Sequence, residues 1–161
     1  MSAAIYLPSG TAIGEPELAS LIETARTTEL KRARYCLHAD ADDKIHQMVI
    51  AVLRDSYVAP HRHLDKCESF QMIKGELEVV LFDAKGVETQ RIALGEPGSG
   101  KPFLMRHSGE QWHTVLTLSE VVVFVETTTG PFRREATQYA EWAPTPDDAA
   151  GIATFFRKHM K

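Results

Sequence analysis

The stretch 59-APHRHLDKCESFQMIKGELEV-79 decides the fold of this chain. His61 and His63 stand two residues apart, so on a strand their side chains share one face. "LDK" then reads as a turn, with Glu68 opening the return strand. Gly75 sits in a second tight turn, "IKGE", where a residue free to take positive φ is useful. The stretch is therefore read as a β-hairpin with two imidazoles and a carboxylate on its inner face. Such groups are costly to bury unless something pairs with them. A metal ion is one such partner, and His113, in "HSGEQWHTVLTL" after a glycine turn, is a fourth donor that a barrel could bring alongside.

Outward from the hairpin the pattern stays strand-like. Short apolar runs are expected as strands at Arg34–His38, Ile45–Arg54, Tyr57–His63, Ser69–Ile73, Leu77–Phe82, Val87–Leu94, Phe103–Arg106, His113–Leu118 and Val121–Thr127. "DADD", "LDK", "KG", "DAKG", "GEPGSGKP", "SGE" and "LS" separate them with turn chemistry. Many short strands without intervening helices indicate an antiparallel sandwich or barrel. Two helices flank it. One is expected over Glu15–Leu30, with Pro16 in its first turn. The other runs over Asp147–His159, begins near Thr145-Pro146 and is joined to the barrel by the linker "TQYAEWAPTP". The expected organisation is one structural domain: an extension with an amphipathic helix (1–33), the barrel (34–135), and a linker with the C-terminal helix (136–161).

Bulk properties exclude several classes. At 161 residues the chain can bury a full core without staples. A net charge of -4 is the wrong sign for a nucleic-acid footprint. The clusters Lys31-Arg32-Ala33-Arg34 and Arg133-Arg134 read as a solvated helix end and a solvated turn. Cys36 and Cys67 are expected as free thiols, being too few for a disulfide scaffold. The N-terminus lacks the pattern of a signal peptide, and no run approaches the roughly 18 apolar residues of a membrane helix. The expectation is a cytoplasmic protein without nucleic-acid or membrane partners. "GEPGSGKP" is not a phosphate-binding loop, since Pro102 follows Lys101 where Ser or Thr is required.

The hairpin resembles the first cupin motif, G-x5-H-x-H-x3,4-E-x6-G. His61, His63, Glu68 and Gly75 match it with the correct gaps, and Asp55 stands in place of the leading glycine. The second motif is looser: one extra residue separates Gly109 from His113, His107 takes the place of a proline, and Thr117 that of an asparagine. "RYCLH", "VAPHRHLDKCESF", "GELEVVLFD", "WHTV" and "ETTTGPF" together resemble the WbuC-type cupin fold metalloproteins, which are often encoded among polysaccharide (O-antigen-type) genes. The resemblance implies a mainly β, single-domain cupin barrel (a double-stranded β-helix, or jelly roll) with an N-terminal helix and a short C-terminal one. It also implies pairing into homodimers, for which the apolar "VVVFV" strand could face either core or partner.

The expected site is one divalent transition metal (Zn, Fe, Mn, Ni or Co) held by His61, His63, Glu68 and His113. Three imidazoles and a carboxylate suit any of these ions. Around it, Phe70 and Met72 share the parity of Glu68 and would line the pocket floor. Arg34, His38 and Lys66 are candidate contacts to a small sugar-like or anionic ligand. Cys67 and Trp112 should face away; His46, His107 and His159 read as peripheral. Glu126, at a strand end, reads as hydrogen-bonded or solvated rather than as a base, so no catalytic base is assigned. Three functions follow: a sugar isomerase or epimerase, an Fe(II)-dependent dioxygenase, or a non-enzymatic module that binds a small metabolite.

Overall fold

The computed structural model describes residues 3–160; Met1, Ser2 and Lys161, which fall in the expected flanking segments, lie outside the described residues. In chain order the elements are β1 (Ala3–Tyr6), α1 (Glu15–Thr27), β2 (Arg32–Cys36), β3 (Ile45–Leu53), β4 (His61–His63), β5 (Cys67–Lys74), β6 (Glu76–Phe82), β7 (Glu88–Gly95), β8 (Leu104–Ser108), β9 (Trp112–Thr117), β10 (Val121–Thr129), β11 (Thr137–Tyr139) and α2 (Ala149–His159). A six-stranded sheet, ordered β1-β2-β3-β10-β5-β8, faces a five-stranded sheet, ordered β11-β4-β9-β6-β7.

Alternation along the strands sorts the apolar residues into three layers. Val52, Phe70, Met72, Leu77, Val79, Val122 and Phe124 meet between the sheets. The opposite parity of the six-stranded sheet, Ala33, Tyr35, Val49, Ala51 and Val123, packs under Leu18, Leu21 and Ala25 of α1. Val80, Phe82 and Leu116, on the outside of the other sheet, pack under Phe155 of α2. Because each strand face is covered in this way, the strands carry apolar residues at both parities. Arg91 fastens the far end of α2: it binds Glu88 through two nitrogens (2.8 and 2.7 Å), Glu78, and the carbonyl of His159 (2.9 Å).

Several boundaries and placements differ from expectation, each for a local reason. Helix α1 stops at Thr27, where Thr28 turns to an extended conformation and its hydroxyl donates to Ala25 O. Helix α2 begins two residues late because Asp148 caps it, accepting from the Gly151 N–H at 2.8 Å. The Lys31–Arg34 cluster is not a helix end: β2 begins at Arg32, whose guanidinium donates to Tyr57 O. Residues 57–60 do not join the ladder, and Tyr57 instead donates its hydroxyl to Pro144 O. β1 and β11 arise inside segments expected as extension and linker. The "VVVFV" strand, β10, is central to its sheet and covered by α1 on one side and core on the other, so it offers no face to a partner. Both cysteines are free. Among the described residues no helix is long and apolar enough to cross a membrane.

Candidate metal centre

The hairpin of β4 and β5 places its groups as the alternation requires. Glu68, Phe70 and Met72 are buried on the inner face of β5 (3%, 2% and 1% exposed), while Cys67 falls on the other parity. The turn before β9 docks on this hairpin: Gly109 donates to Lys66 O at 2.8 Å, and His63 donates to Gly109 O at 2.6 Å. A β-carbon on Gly109 would stand 3.1 Å from Lys66 O, so the close approach favours glycine. That docking aligns His113 directly opposite His61. Trp112 turns outward, where the Arg62 guanidinium lies 4.7 Å from its ring centroid.

Four imidazoles cluster here, three of them, His63, His107 and His113, around the Glu68 carboxylate. Each has its Nδ1 beside an oxygen: His61 with Ala59 O, His113 with Gln111 O and His107 with Ser108 O, all at 2.8 Å, and His63 with Thr137 Oγ1 at 2.9 Å. For the three carbonyl partners this fixes the tautomer with hydrogen on Nδ1 and leaves Nε2 as a lone-pair donor. Glu68 Oε1 lies 3.1 Å from His63 Nε2. Its Oε2 lies 3.1 Å from His113 Nε2 and 3.4 Å from His107 Nε2. Lone pairs that face one another so closely repel unless a cation, either a proton or a metal ion, stands among them. The distances to His107 and His113 are short, yet Glu68 Oε2 and His107 Nε2 make no aligned hydrogen bond within the protein. Orphaned buried donors of this kind fit a metal site. Two overlapping groups can hold an ion, His61 with His63 and His113, and Glu68 with His107 and His113; in each group the ligand atoms lie within 4.8 Å of one another.

Burial would raise the Glu68 carboxyl, but imidazoles of His107, His113 and His63 that carry the proton on Nε2 would outweigh it and hold the group well below the usual carboxylate range, the proton there standing where a metal ion could. Burial first, then the neighbouring His113, pushes His61 down to about 3, so its ring is a neutral ligand at ordinary pH.

His107, expected at the periphery, is thus brought to Glu68. Its parity on β8 matches Met105, which packs against the inner core, and that alternation was the available signal. Thr137 was also missed, because its role depends on a three-residue strand pairing with β4. His38 is placed elsewhere: it is buried, stacked 4.1 Å from His46, and its Nδ1 faces Gln47 O. His159, the last residue of α2, packs against Phe155 and Phe82. Two open surface clefts, of about 480 and 440 Å³, are lined by other residues, so neither is formed by this nest of ligands.

Glu126 is the largest departure. Because β10 continues to Thr129, Glu126 is internal to the strand and shares the inward parity of Val122 and Phe124. It lies directly opposite Met48 on one side and Phe70 on the other, one row deeper than Glu68, which faces Thr128. Burial among apolar neighbours, then the charge of Glu68, pushes it up to about 8, against the opposing pull of Arg34 and Lys66. An unfolded glutamate titrates near 4.3. Between those values the folded protein holds the extra proton, so the stability of the metal-free protein should fall as pH rises. Glu126→Gln removes that penalty. In thermal melts it should stabilise the metal-free protein by on the order of 5 kcal/mol at pH 8.5 and only about 1 kcal/mol at pH 5. An equal effect at both values would contradict the placement.

Comparison with known proteins follows the same lines. A family model described as "Domain of unknown function (DUF6016)" matches residues 13–94. No curated protein matches the chain. Among solved structures, the DMSP lyase DddQ from Ruegeria pomeroyi DSS-3 aligns at 18% identity and a TM-score of 0.53, covering 71% of this chain and 54% of that one. Oxalate decarboxylase from Bacillus subtilis aligns at 22% identity and 0.50, covering 71% and 28%. CapF, solved with the inhibitor 3-isopropenyl-tropolone, aligns at 16% and 0.53, covering 62% and 29%. This chain therefore spans less than two thirds of each. At such identities the likeness concerns the fold alone, and that fold is a cupin barrel with two facing sheets.

Proposed function

Because the chain belongs to the DUF6016 domain family, we propose its function from the chemistry of its site: a metal-dependent isomerase or epimerase acting on a sugar or sugar derivative. His61, His63, Glu68 and His113 hold one divalent ion of Zn, Fe, Mn, Ni or Co, with His107 within reach of the same carboxylate. One observation carries this reading: His63, His107 and His113 bring Nε2 within 3.4 Å of one buried carboxylate, and His61 joins His63 and His113 in a second, overlapping group of ligand atoms.

When bound, the ion supplies a Lewis acid beside an oxygen of the ligand. The chain supplies the rest. Glu126, whose raised affinity for a proton makes its ionised form a stronger base than an exposed carboxylate, would in that form take a proton from a carbon next to a carbonyl and, as the acid so formed, return it. Phe70 and Met72 close the floor against water. Lys66, whose charge acts on Glu68 and Glu126, would meet an anionic group of the ligand. His38, tied to His46 and Gln47, is left out of the ligand contacts. The WbuC-type resemblance supports a place in polysaccharide metabolism, and pairing into homodimers belongs to the same reading.

The test is solvent exchange. Metal-loaded protein is incubated in D2O with a panel of aldoses, ketoses and their phosphates, and carbon-bound deuterium is followed by NMR. The expected result is exchange in at least one sugar, lost by about 100-fold or more in Glu126→Gln. Metal uptake with sugar binding but no exchange anywhere in the panel would replace this reading with a binding module.

A further inference from the structure

The linker "TQYAEWAPTP" does more than join α2 to the barrel. It supplies Gln138, Tyr139, Glu141 and Trp142 to the larger surface cleft, of about 480 Å³, whose lining Trp112 and Ala84 complete. That volume lies within the range of small-molecule sites. The chain has two tryptophans, and both line this one cleft. Its walls are fixed. Ala140 donates to Pro60 O at 2.9 Å, Ala143 to Ala140 O at 3.1 Å, and the Tyr57 hydroxyl to Pro144 O at 2.8 Å, so the linker is pinned along its length. Gly86 packs flat on Trp142, since a β-carbon there would stand 2.7 Å from both Cδ2 and Cε3 of the indole. The Phe82 ring supports the same indole, 5.1 Å away. A wall held in place in this way costs little ordering when a ligand binds.

The lining narrows the chemistry of the ligand. Among the described residues no lysine, arginine or histidine lines the cleft, and Glu141 would repel an anion. The two indoles meet edge to face, 6.5 Å between centroids at 72°, so they form a corner and leave no room to cage a cation between them. The Arg62 guanidinium already lies over the Trp112 ring. No aliphatic side chain larger than Ala84 is present to hold a purely apolar ligand. What remains is flat aromatic surface with polar groups beside it. Gln138 Oε1 accepts from Arg62 Nε at 2.8 Å, which leaves the amide nitrogen to donate. The Glu141 carboxylate has no ion-pair or hydrogen-bond partner among the described residues, and Tyr139 is 67% exposed.

We propose that this cleft binds a neutral sugar ring, as a site separate from the metal centre. A pyranose carries C–H groups on its faces and hydroxyls around its rim, so it needs flat apolar surface together with donors and acceptors at the edge. The indole corner supplies the surface, Gln138 a donor and Glu141 an acceptor for the hydroxyls. Tyr139 also stands beside the metal centre, its ring 6.0 Å from that of His61. The inference goes beyond the metal reading and does not depend on it.

Because both tryptophans line the cleft, their emission reports on it directly. The test titrates the full chain, as purified, with maltose, cellobiose and lactose, and with tetramethylammonium chloride and inorganic phosphate as charged comparisons. At least one disaccharide should change the emission saturably, with a half-point of about 1 mM or below, and neither charged probe should do so in that range. Glu141→Ala should weaken the sugar by about fivefold or more, and Tyr139→Ala by about threefold. Both side chains are exposed, so the fold and the metal content should be unchanged in these variants. Treatment with a chelator should leave the sugar affinity as it was. No saturable change with any disaccharide, a tighter response to tetramethylammonium or phosphate, or unchanged sugar affinity in both variants would each overturn the proposal. Sugar binding lost with the metal but kept in Glu141→Ala would place the sugar at the metal centre, defeating this inference and not the metal reading. Sugar binding in protein that never holds metal would defeat the metal reading and leave this site standing.

Discussion

Replacing His113 with alanine should abolish stoichiometric metal uptake, with affinity falling by more than about 100-fold, because losing a ligand exceeds losing a group that only orients one. His113 is the residue common to both groups that can hold an ion, so its removal breaks either arrangement. It is also 1% exposed, with Nε2 3.1 Å from Glu68 Oε2. The metal-free variant should therefore lose about 3 kcal/mol as well, from the cavity and from a buried carboxylate with one cation position fewer. His113→Gln, which fills more of the volume, separates the two effects: it should regain part of the stability and none of the metal. Companion variants distinguish the ligand sets. His61→Ala removes metal if the first set holds it, whereas His107→Ala does so only if the second does. An equivalent of metal retained in His113→Ala would remove both sets.

Gly75→Ala should be among the most destabilising conservative changes in the fold. Gly75 has φ +75°, and a β-carbon there would stand 2.5 Å from Val121 O and 3.1 Å from Ser119 Cβ. The obstacle is backbone of a central strand, which cannot swing aside. The left-handed conformation costs about 1 kcal/mol for alanine, and the clash brings the total to about 3 kcal/mol, or a melting temperature roughly 6–12 °C lower. Gly100→Ala is the control. Gly100 also has positive φ (+82°), but nothing lies within 4 Å of its added β-carbon. Only the conformational part, about 1 kcal/mol, should appear there. Equal losses at the two positions would show that crowding at Gly75 is not what demands glycine.

How much of this was legible beforehand depends on what each residue's role rests on. The β4–β5 hairpin was readable because its signal is local: period-two spacing, a short turn and a glycine with φ +75°. Parity along single strands likewise placed Phe70, Met72, Cys67 and Trp112. β1 was invisible because it pairs in parallel with β2 across the intervening α1, and its burial does not alternate. β11 is three residues long and is a strand only by virtue of His61–His63 beside it. Glu126 was misjudged through a two-residue error in where β10 ends; once the strand reaches Thr129, a terminal carboxylate becomes an internal one. His107 sits on a strand that no motif anchors, so its convergence on Glu68 depends on which strands become neighbours, and sheet order is a property of the whole chain.

The most direct test of the central claim is the metal content of the wild-type protein, purified without added metal and again after incubation with Zn, Fe, Mn, Ni or Co and removal of excess. The imidazole nest predicts about one equivalent of one of these ions per chain, as expected for a single closed set of protein ligands. No bound metal under any of these conditions would contradict it, and would leave Glu68 as a carboxylate neutralised by protons alone.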